Sequence, residues 1–413
     1  MSKSSSSRRL SSVEFVPMLA MVNAVVALSI DGMLPALSTI AEELGAKHEN
    51  DAQLVIFMMF VGFSGGHLFF GPLSDIVGRK RAIYAGTSIF IVGCTISYQA
   101  KDFQLMLFGR LLQGLGGAAL GDIPLAIVRD QYAGDDMAEI ISMITGVFII
   151  VPALAPSLGL LVLNFAGYRA IFFILLIHAI IAVAWLALRQ PETLPAENRK
   201  RFDLRTILND VCFVAGRKST VLFTLAQGFV FGNFVAFLSS APQVFADLYQ
   251  EEERFPLIFA GLATSVGLAS VLNSRIVKRL GMLNLATLGL GIMSSFSFAF
   301  LIFVLILEEH PPLWTVLVFF CCVFFQVGFL LGNLNAMAME PMGEHAGIAS
   351  AVIGTLSGLT SLTGGVVIGQ SYQKTIIPLI IGFFLFSTSA LIATRLAEGS
   401  RVSETQSTTN AAR

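Results

Sequence analysis

The chain has 413 residues, of which 55% are hydrophobic and 13% are charged, and its formal net charge is −1. Soluble domains carry about 25% charged residues, so this composition excludes an ordinary soluble enzyme, and the high hydrophobicity excludes a disordered chain. The near-neutral balance offers no bulk attraction to nucleic acid, so we expect no nucleic-acid partner.

Long apolar runs separated by short polar segments recur along the chain and predict twelve helices. A helix crosses a bilayer with about 20 apolar residues, and the runs are too long and too uniform for transmembrane strands, which alternate. We expect the helices at about residues 15–37, 52–71, 81–99, 103–128, 138–163, 168–188, 219–240, 256–275, 283–307, 313–339, 347–371 and 376–396. The sequence therefore predicts an all-α, multi-pass membrane protein.

The longest polar stretch lies near the middle of the chain and divides it into two halves of six helices. A weak repeat between residues 138–146 and 346–354 falls on the fifth and eleventh helices, which are equivalent positions in two such halves. We expect a disordered arm at 1–14, a six-helix bundle at 15–188, a linker at 189–218, a second bundle at 219–396 and a disordered tail at 397–413. Paired halves place a substrate site between them near the membrane midplane.

The distribution of basic residues predicts the orientation. With the N-terminus inside, 20 of the 26 Lys and Arg residues fall in inner segments and five in outer ones. Cytoplasmic loops carry an excess of positive charge, so both termini, the linker and the tail are expected in the cytoplasm. The four cysteines lie in or beside apolar runs without ligand-like spacing, so we expect no metal site.

The most specific motif spans residues 71–81, Gly-Pro-Leu-Ser-Asp-Ile-Val-Gly-Arg-Lys-Arg, between the second and third helices. Gly71 and Pro72 predict a tight turn, and Asp75 is placed to accept hydrogen bonds at a helix start. The basic residues alone are also compatible with a generic turn on the cytoplasmic side. The full string comprises Gly71, Pro72, Asp75, Gly78, Arg79, Lys80 and Arg81.

This string resembles the signature loop of the major facilitator superfamily. Residues 109–114 (Gly-Arg-Leu-Leu-Gln-Gly) resemble the fourth-helix motif of its drug:proton antiporters, and the segments around Asp31, Asp130 and Glu340 resemble the Bcr/CflA-type bacterial multidrug exporters. The fifth-helix antiporter motif is resembled by Gly146, Pro152, Pro156 and Gly159. The resemblance implies two pseudo-symmetric six-helix bundles, a functional monomer in the bacterial inner membrane, and a proton gradient as energy source without a cofactor.

Two charged residues inside predicted spans are the main candidates for coupling chemistry. Asp31 lies in the first span and shares a helix face with Asn23; intramembrane charges are expensive and usually functional. We interpret Asp31 as a proton or cation-binding carboxylate, with a structural pairing to Arg110 or a position at the outer interface as the alternatives. For Arg110, with Gln113 nearby, the resemblance implies proton coupling, and hydrogen bonding to backbone carbonyls is the alternative.

Further charges lie toward the cytoplasmic ends of the spans. Asp122 is 12 residues beyond Arg110, about 18 Å along one helix, so the two cannot pair. It is either a lower station on a proton path or a structural acid paired with a basic residue of another helix. The resemblance implies that Asp75, Arg79 and Asp130 form a gating charge cluster near the start of the eleventh helix; weak surface ion pairing is the alternative.

The second half offers aromatic and amide side chains rather than charges. Apolar, adaptable walls with few polar groups suit varied amphipathic ligands. Each amide is equally open to an interpretation as an interhelical hydrogen-bonding group. The candidate cavity wall comprises Gln227, Phe231, Asn233, Phe234, Gln326, Asn333 and Asn335.

Three functions are compatible with these patterns. The first is proton-coupled efflux of drug-like molecules, the second a proton-linked carrier of a defined metabolite such as a nucleoside or amino acid, and the third a membrane receptor or scaffold. The chain has no Gly-x-x-x-x-Gly-Lys phosphate loop and no hydrolase motif, so ATP-driven transport and enzyme activity are not expected. Small amphipathic molecules, protons and lipid are the expected partners.

Overall fold

The computed structural model describes residues 10–199, 203–307 and 311–411. Within these ranges the chain is helical throughout and contains no strand, as the apolar runs predict. The first half contains α1 (Ser12–Asp31), α2 (Leu37–Glu43), α3 (Leu54–Val77), α4 (Arg79–Gln99), α5 (Phe103–Gln131) and α6 (Gly134–Arg189). The remaining helices are α7 (Leu204–Gly216), α8 (Lys218–Tyr249), α9 (Phe255–Leu280), α10 (Met282–Ile306), α11 (Leu313–Met339), α12 (Ala346–Gln370) and α13 (Ile377–Ala411).

Ten segments of the described chain are long and apolar enough to cross a membrane. The first combines α1 and α2, which are joined by a short 3₁₀ turn at Leu34–Ala36. α6 consists of two helical segments that meet at Gly167, where φ is 74° and ψ is 170°, so it supplies two crossings. α4 adds a further helix of spanning length with lower hydropathy, and the architecture thereby accommodates the twelve predicted crossings.

The helices pack in two groups, and two helix pairs form the most extensive contacts between them. In the first group α5 packs against α3 and α4, and α1 packs against α6. In the second group α8 packs against α12 and α13, and α10 and α11 pack against each other. The groups meet where α3 packs against α12 and where α6 packs against α9.

Glycines on α12 bring it close to α3 along most of its length. A Cβ added at Gly358 would overlap Ser64 Oγ, and one added at Gly365 would lie 3.3 Å from the Phe57 ring. Thr355 Oγ1 donates to the Ser64 carbonyl at 3.0 Å. Small residues let membrane helices approach closely, and here they create a smooth face between the two halves.

The structure differs from the sequence expectations at the helix ends. The turn predicted at Gly71–Pro72 is wrong, because α3 continues through Pro72 to Val77 and the chain turns at Gly78. Close to the proline, Ser74 Oγ donates to the Gly71 carbonyl at 2.9 Å. α1 begins at Ser12, α13 continues to Ala411 beyond the expected end at 396, and residues 1–9 of the predicted arm lie outside the described residues.

The predicted linker also contains a helix. α7 begins after Asp203, whose side chain accepts a hydrogen bond from the Arg205 backbone and so caps the helix. It packs against α8 and the start of α12, and His345 Nδ1 lies 3.0 Å from Asp210 Oδ1. We refer to the face of the molecule that carries this segment and the α3–α4 turn as the linker side.

Candidate functional site

Arg110 lies at the centre of the first half and is fully buried. Its guanidinium donates to the carbonyl of Val55 on α3 at 3.0 Å, to the carbonyl of Ser29 on α1 at 2.9 Å and to Gln113 Oε1 at 2.7 Å. Gln113 in turn donates to Ser97 Oγ on α4 at 3.0 Å. One planar side chain therefore ties α1, α3 and α5 together, and its neighbour adds α4.

Asp31 lies at the end of α1 and is 4% exposed. Its Oδ1 atom has no hydrogen-bond partner among the described residues, and no ion pair joins it to Arg110, whose donors are satisfied as described above. The predicted structural pairing of the two charges is therefore absent. A buried carboxylate oxygen without a donor is costly, and a proton or a bound cation would relieve that cost.

The helix break beside Asp31 packs directly on the antiporter-motif segment of α6. A Cβ added at Gly159 would overlap the carbonyl oxygen of Gly32, and one added at Gly32 would lie 3.6 Å from the Ala155 carbonyl oxygen. α6 keeps helical geometry through Pro152 and Pro156 and breaks only at Gly167. Gly146 lies on the same helix, in a stretch whose side chains are outside the described set.

Asn23 anchors α1 to α5 two turns before Asp31. With its amide oriented so that both atoms are satisfied, the nitrogen donates to the carbonyls of Leu120 at 2.8 Å and Gly121 at 3.2 Å. Asn23 therefore makes an interhelical contact to the segment that carries Asp122.

The three residues of the predicted gating cluster lie together on the linker side. Arg79 donates to Asp75 Oδ1 at 2.6 Å and makes a two-pronged contact with Asp130 at 2.9 and 3.2 Å. Ser74 Oγ accepts a fourth hydrogen bond at 2.7 Å. Arg79 is buried, so this is a charge-assisted network between α3, α4 and α5 rather than a solvated surface pair.

The start of α4 is held by two residues that the sequence analysis did not identify. Glu192 accepts hydrogen bonds from the backbone N–H groups of Arg79 at 3.0 Å and Lys80 at 3.2 Å, which places an anion at a helix N-terminus. Thr193 Oγ1 donates to Asp130 at 2.8 Å. Both lie just beyond α6, more than 100 residues from the motif they support, and no local pattern marks them.

The other residues of the 71–81 motif serve the same turn. Gly78 has φ of 98°, a conformation that favours glycine, and a Cβ there would meet Glu192 Oε2 at 2.7 Å. Lys80 Nζ donates to the carbonyls of Ala187 and Gln190 at 2.8 Å each. Gly71 faces Ala351 of α12, whereas Arg81 is exposed.

Asp122 has a partner on another helix, and that partner is a histidine. His67 Nδ1 on α3 lies 2.6 Å from Asp122 Oδ2 on α5. The pair and the gating cluster line one cavity of about 260 Å³, and Gly347, Ser350 and Ala351 of α12 form another part of its lining. A basic partner on another helix was one of the two interpretations of Asp122, but the sequence analysis did not identify His67 as that partner.

The aromatic part of the candidate cavity wall lies where the two halves face each other. The ring of Phe231 on α8 contacts Phe60 on α3 edge-on, with centroids 5.8 Å apart. Phe231 also stacks on Phe234, which contacts Phe324 on α11. These rings form an apolar surface that spans both halves.

The amide residues of that wall divide into two groups. Asn233 is fully buried with neither amide atom paired, and Gln227 has an unpaired buried Oε1, among the described residues. Asn333 instead exchanges hydrogen bonds with Asn273 on α9 at 2.9 and 3.4 Å, which supports its interhelical interpretation. Gln326 faces the start of α10 near Gly289, and Asn335 is exposed.

On the side opposite the linker, hydrogen bonds also join the two halves. Gln53 donates to Gln243 Oε1 at 2.8 Å, and Asn50 donates to the Tyr372 carbonyl at 2.9 Å. The Tyr372 hydroxyl donates to Asp247 at 3.1 Å, and burial together with this carboxylate raises the pKa of Tyr372. The halves are therefore in contact on both sides.

Comparison with known proteins agrees with this geometry. A family model described as Major Facilitator Superfamily matches residues 19–365. An uncharacterized MFS-type transporter of Bacillus subtilis is 28% identical over 91% of this chain and 92% of its own length. A bicyclomycin resistance protein homolog of Haemophilus influenzae is 26% identical over 89% and 91%, and a chloramphenicol resistance protein of Pseudomonas aeruginosa is 28% identical over 90% and 85%.

Solved structures show the same fold at low sequence identity. The human organic anion transporter TETRAN superposes with a TM-score of 0.70 at 15% identity, covering 94% of this chain and all of its own. The POT family transporter PepTSo superposes with a TM-score of 0.71 at 14% identity, covering 95% and 98%. The fold, the motif geometry and the family model together establish that this chain belongs to the major facilitator superfamily of membrane transporters.

Proposed function

We propose that the protein exports drug-like small molecules from the cytoplasm by proton antiport across the bacterial inner membrane. The observation that carries the proposal is Asp31, a carboxylate buried in the first span with an unpaired oxygen. Protonation removes the cost of burying its charge, so its proton occupancy differs between a state that hydrates it and one that does not. Such a difference biases an equilibrium between two conformations.

Arg110 supports the proposal through its position. It donates to the carbonyl of Ser29, two residues before Asp31, and so ties α1 to α3 and α5. A movement of α1 at its break beside Asp31 is therefore transmitted to α3 and α5, which carry residues of the gating cluster at their linker-side ends. The antiporter-motif segment of α6 packs on the other side of that break. Proton binding at Asp31 is thereby linked to the packing of α1 within its half.

The substrate class is supported by the aromatic surface and by the relatives. Phe231, Phe234 and Phe60 supply apolar area at the contact of the halves, and the unpaired amide of Asn233 supplies a nearby polar group on the same helix as two of the rings. Sites of this composition accept varied amphipathic ligands. Curated relatives carry the names bicyclomycin, chloramphenicol and multidrug resistance protein.

The test is efflux by an Asp31→Asn variant in everted vesicles from an efflux-deficient bacterium. We expect substrate-induced proton movement to fall at least about tenfold, the scale of a lost coupling free energy of 1.4 kcal/mol, with unchanged protein in the membrane. Asp136→Asn, at an exposed carboxylate near the start of α6, is the matched control. Unchanged proton movement in Asp31→Asn contradicts the proposal.

A second measurement separates drug efflux from metabolite transport. Structurally unrelated drugs are tested for mutual competition in the same vesicles. Competition among them is the expected result, because an apolar wall selects by area more than by hydrogen-bond pattern. Transport of a single metabolite without such competition would favour a dedicated carrier.

A further inference from the structure

We propose that His67 and Asp122 form a second proton-binding site, separate from Asp31, which releases its proton when the two halves part on the linker side. The inference rests on the proposed proton-coupled transport. The observations are the 2.6 Å contact between the two side chains, their position at the contact between α3 and α12, and the cavity they line.

The His67–Asp122 pair can bind or release one proton. An ionised carboxylate only accepts hydrogen bonds, so Asp122 Oδ2 fixes the Nδ1–H tautomer of neutral His67 and leaves Nε2 with a lone pair. A proton taken up at Nε2 turns the pair from a net charge of −1 to a net charge of zero. Histidine is the side chain whose ordinary charge change falls between about pH 5 and 8.

The second half of the protein closes over this pair. A Cβ added at Gly354 on α12 would lie 3.3 Å from His67 Cγ, so the imidazole lies directly against the α12 backbone. Phe63 covers another side of the ring, with centroids 4.4 Å apart. Packing of α12 therefore shields the imidazole, whose side chain is 16% exposed, while the Asp122 side chain is 35% exposed toward the cavity. This shielding of His67 from water disfavours the form of the pair with net charge.

Among the described residues that line the cavity, His67 is the one imidazole. α12 contributes no titratable side chain to the cavity, since its lining residues there are Gly347, Ser350 and Ala351. The other charged groups of the cavity come from α3, α4 and α5. They are Asp75, Arg79, Arg129 and Asp130, and Arg79 forms ion pairs with both Asp75 and Asp130.

Closing and protonation are consequently linked. The closed linker side favours the net-neutral, protonated pair, and separation of α12 from α3 hydrates the pair and releases the proton into the cavity on the predicted cytoplasmic side. Asp31 lies on α1, in a different part of the bundle, and Asn23 links the two regions by binding the carbonyls of residues 120 and 121. The antiporter thus has one proton site at the α1 break and one at the interface of its halves.

The test is amide hydrogen exchange in the detergent-solubilised full chain, followed from about pH 5.5 to about pH 8.5 and corrected for intrinsic exchange rates. For the wild type we expect protection of residues 346–358 to fall at least about fivefold with rising pH, the lower range of measured site couplings. His67→Gln keeps a hydrogen-bond donor to Asp122 but cannot titrate, so this pH step is expected to disappear. Asp122→Asn is expected to remove it as well.

The matched control is His178→Gln, at another histidine inside a span, which contacts the Met21 carbonyl at 3.0 Å rather than a carboxylate. This control should keep the pH step. A double variant that exchanges the partners, His67→Asp with Asp122→His, should restore it and guards against loss of folding in the single variants.

Persistence of the step in His67→Gln, or its absence in the wild type, overturns the proposal. Because the measurement requires no substrate, it is independent of the vesicle assay. Failure of Asp31→Asn to affect transport would contradict the proposed function without changing the exchange result.

Discussion

The two halves share a helical plan but carry different chemistry. Among the described residues, the buried charged side chains Asp31, Arg79 and Arg110 all lie in the first half, whereas the buried polar residues of the second half are hydroxyls and amides. The second half instead concentrates aromatic contacts around Phe237, Phe320 and Phe324. Buried charges are therefore concentrated in the described part of the first half, and aromatic contacts in that of the second.

The contrast predicts that substitutions in the first half alter coupling and those in the second alter substrate preference. The largest effect is expected for Arg110→Lys. Lysine keeps the charge but lacks the planar fork that reaches carbonyls on two other helices and Gln113 at once.

We expect transport by Arg110→Lys to fall at least about tenfold, and the melting temperature in detergent to fall by several degrees because buried acceptors lose their donor. Arg254→Lys, at a side chain that is 74% exposed, is the control and should behave as wild type. Wild-type transport by Arg110→Lys would show that the planar guanidinium is not required. It would also contradict the assignment of coupling to the first half.

An intermediate effect is expected for Gly159→Ala. The added methyl group collides with the carbonyl of Gly32 beside Asp31, and overpacking of this kind costs about 1–3 kcal/mol. Proton-coupled transport should fall several-fold as α1 is displaced from α6. Gly261→Ala, on α9 with open space around its position, is the control in both melting and transport assays, and equal results for the two variants would falsify the close α1–α6 contact.

The smallest effect on overall transport is expected for Phe234→Ala. Removal of this ring takes away the contacts to Phe231 and Phe324, so the apparent affinity for bulky apolar substrates should weaken about three- to tenfold, in line with the roughly 0.5–1.5 kcal/mol of an aromatic contact. The proton response at saturating substrate should persist. Phe165→Ala, at a ring that is 84% exposed, serves as control. A loss of proton movement with unchanged substrate affinity would reverse the assignment of the halves.

The sequence was informative wherever a single helix carried the signal. Length and continuity of the apolar runs predicted where the spanning helices begin to within about four residues, whereas α3, α8 and α13 continue well beyond their expected ends. The 71–81 string and the 109–114 string led to the family before any contact was known. Pro72 was misinterpreted because proline is also tolerated inside a membrane helix, and α3 continues through it to Val77.

The sequence was uninformative wherever two distant segments meet. His67 and Asp122 are 55 positions apart, and Glu192 lies 113 positions beyond Arg79. Helical periodicity assigns each residue to a face of its own helix but says nothing about which helix lies opposite. The same limit hid the pairing of Asn273 with Asn333.

Composition alone determined that this chain is a membrane protein, because the few charged residues cannot solubilise a chain of 413 residues. The family motifs determined its plan of two six-helix halves. Tertiary structure decided which polar groups are satisfied. Arg110 donates to backbone carbonyls and does not pair with Asp31. Asp122 pairs with a histidine, and Asp31 keeps an oxygen without a hydrogen-bond partner. The physical reason is that the cost of a buried charge is a property of its neighbours across helix contacts, which no single stretch of sequence contains.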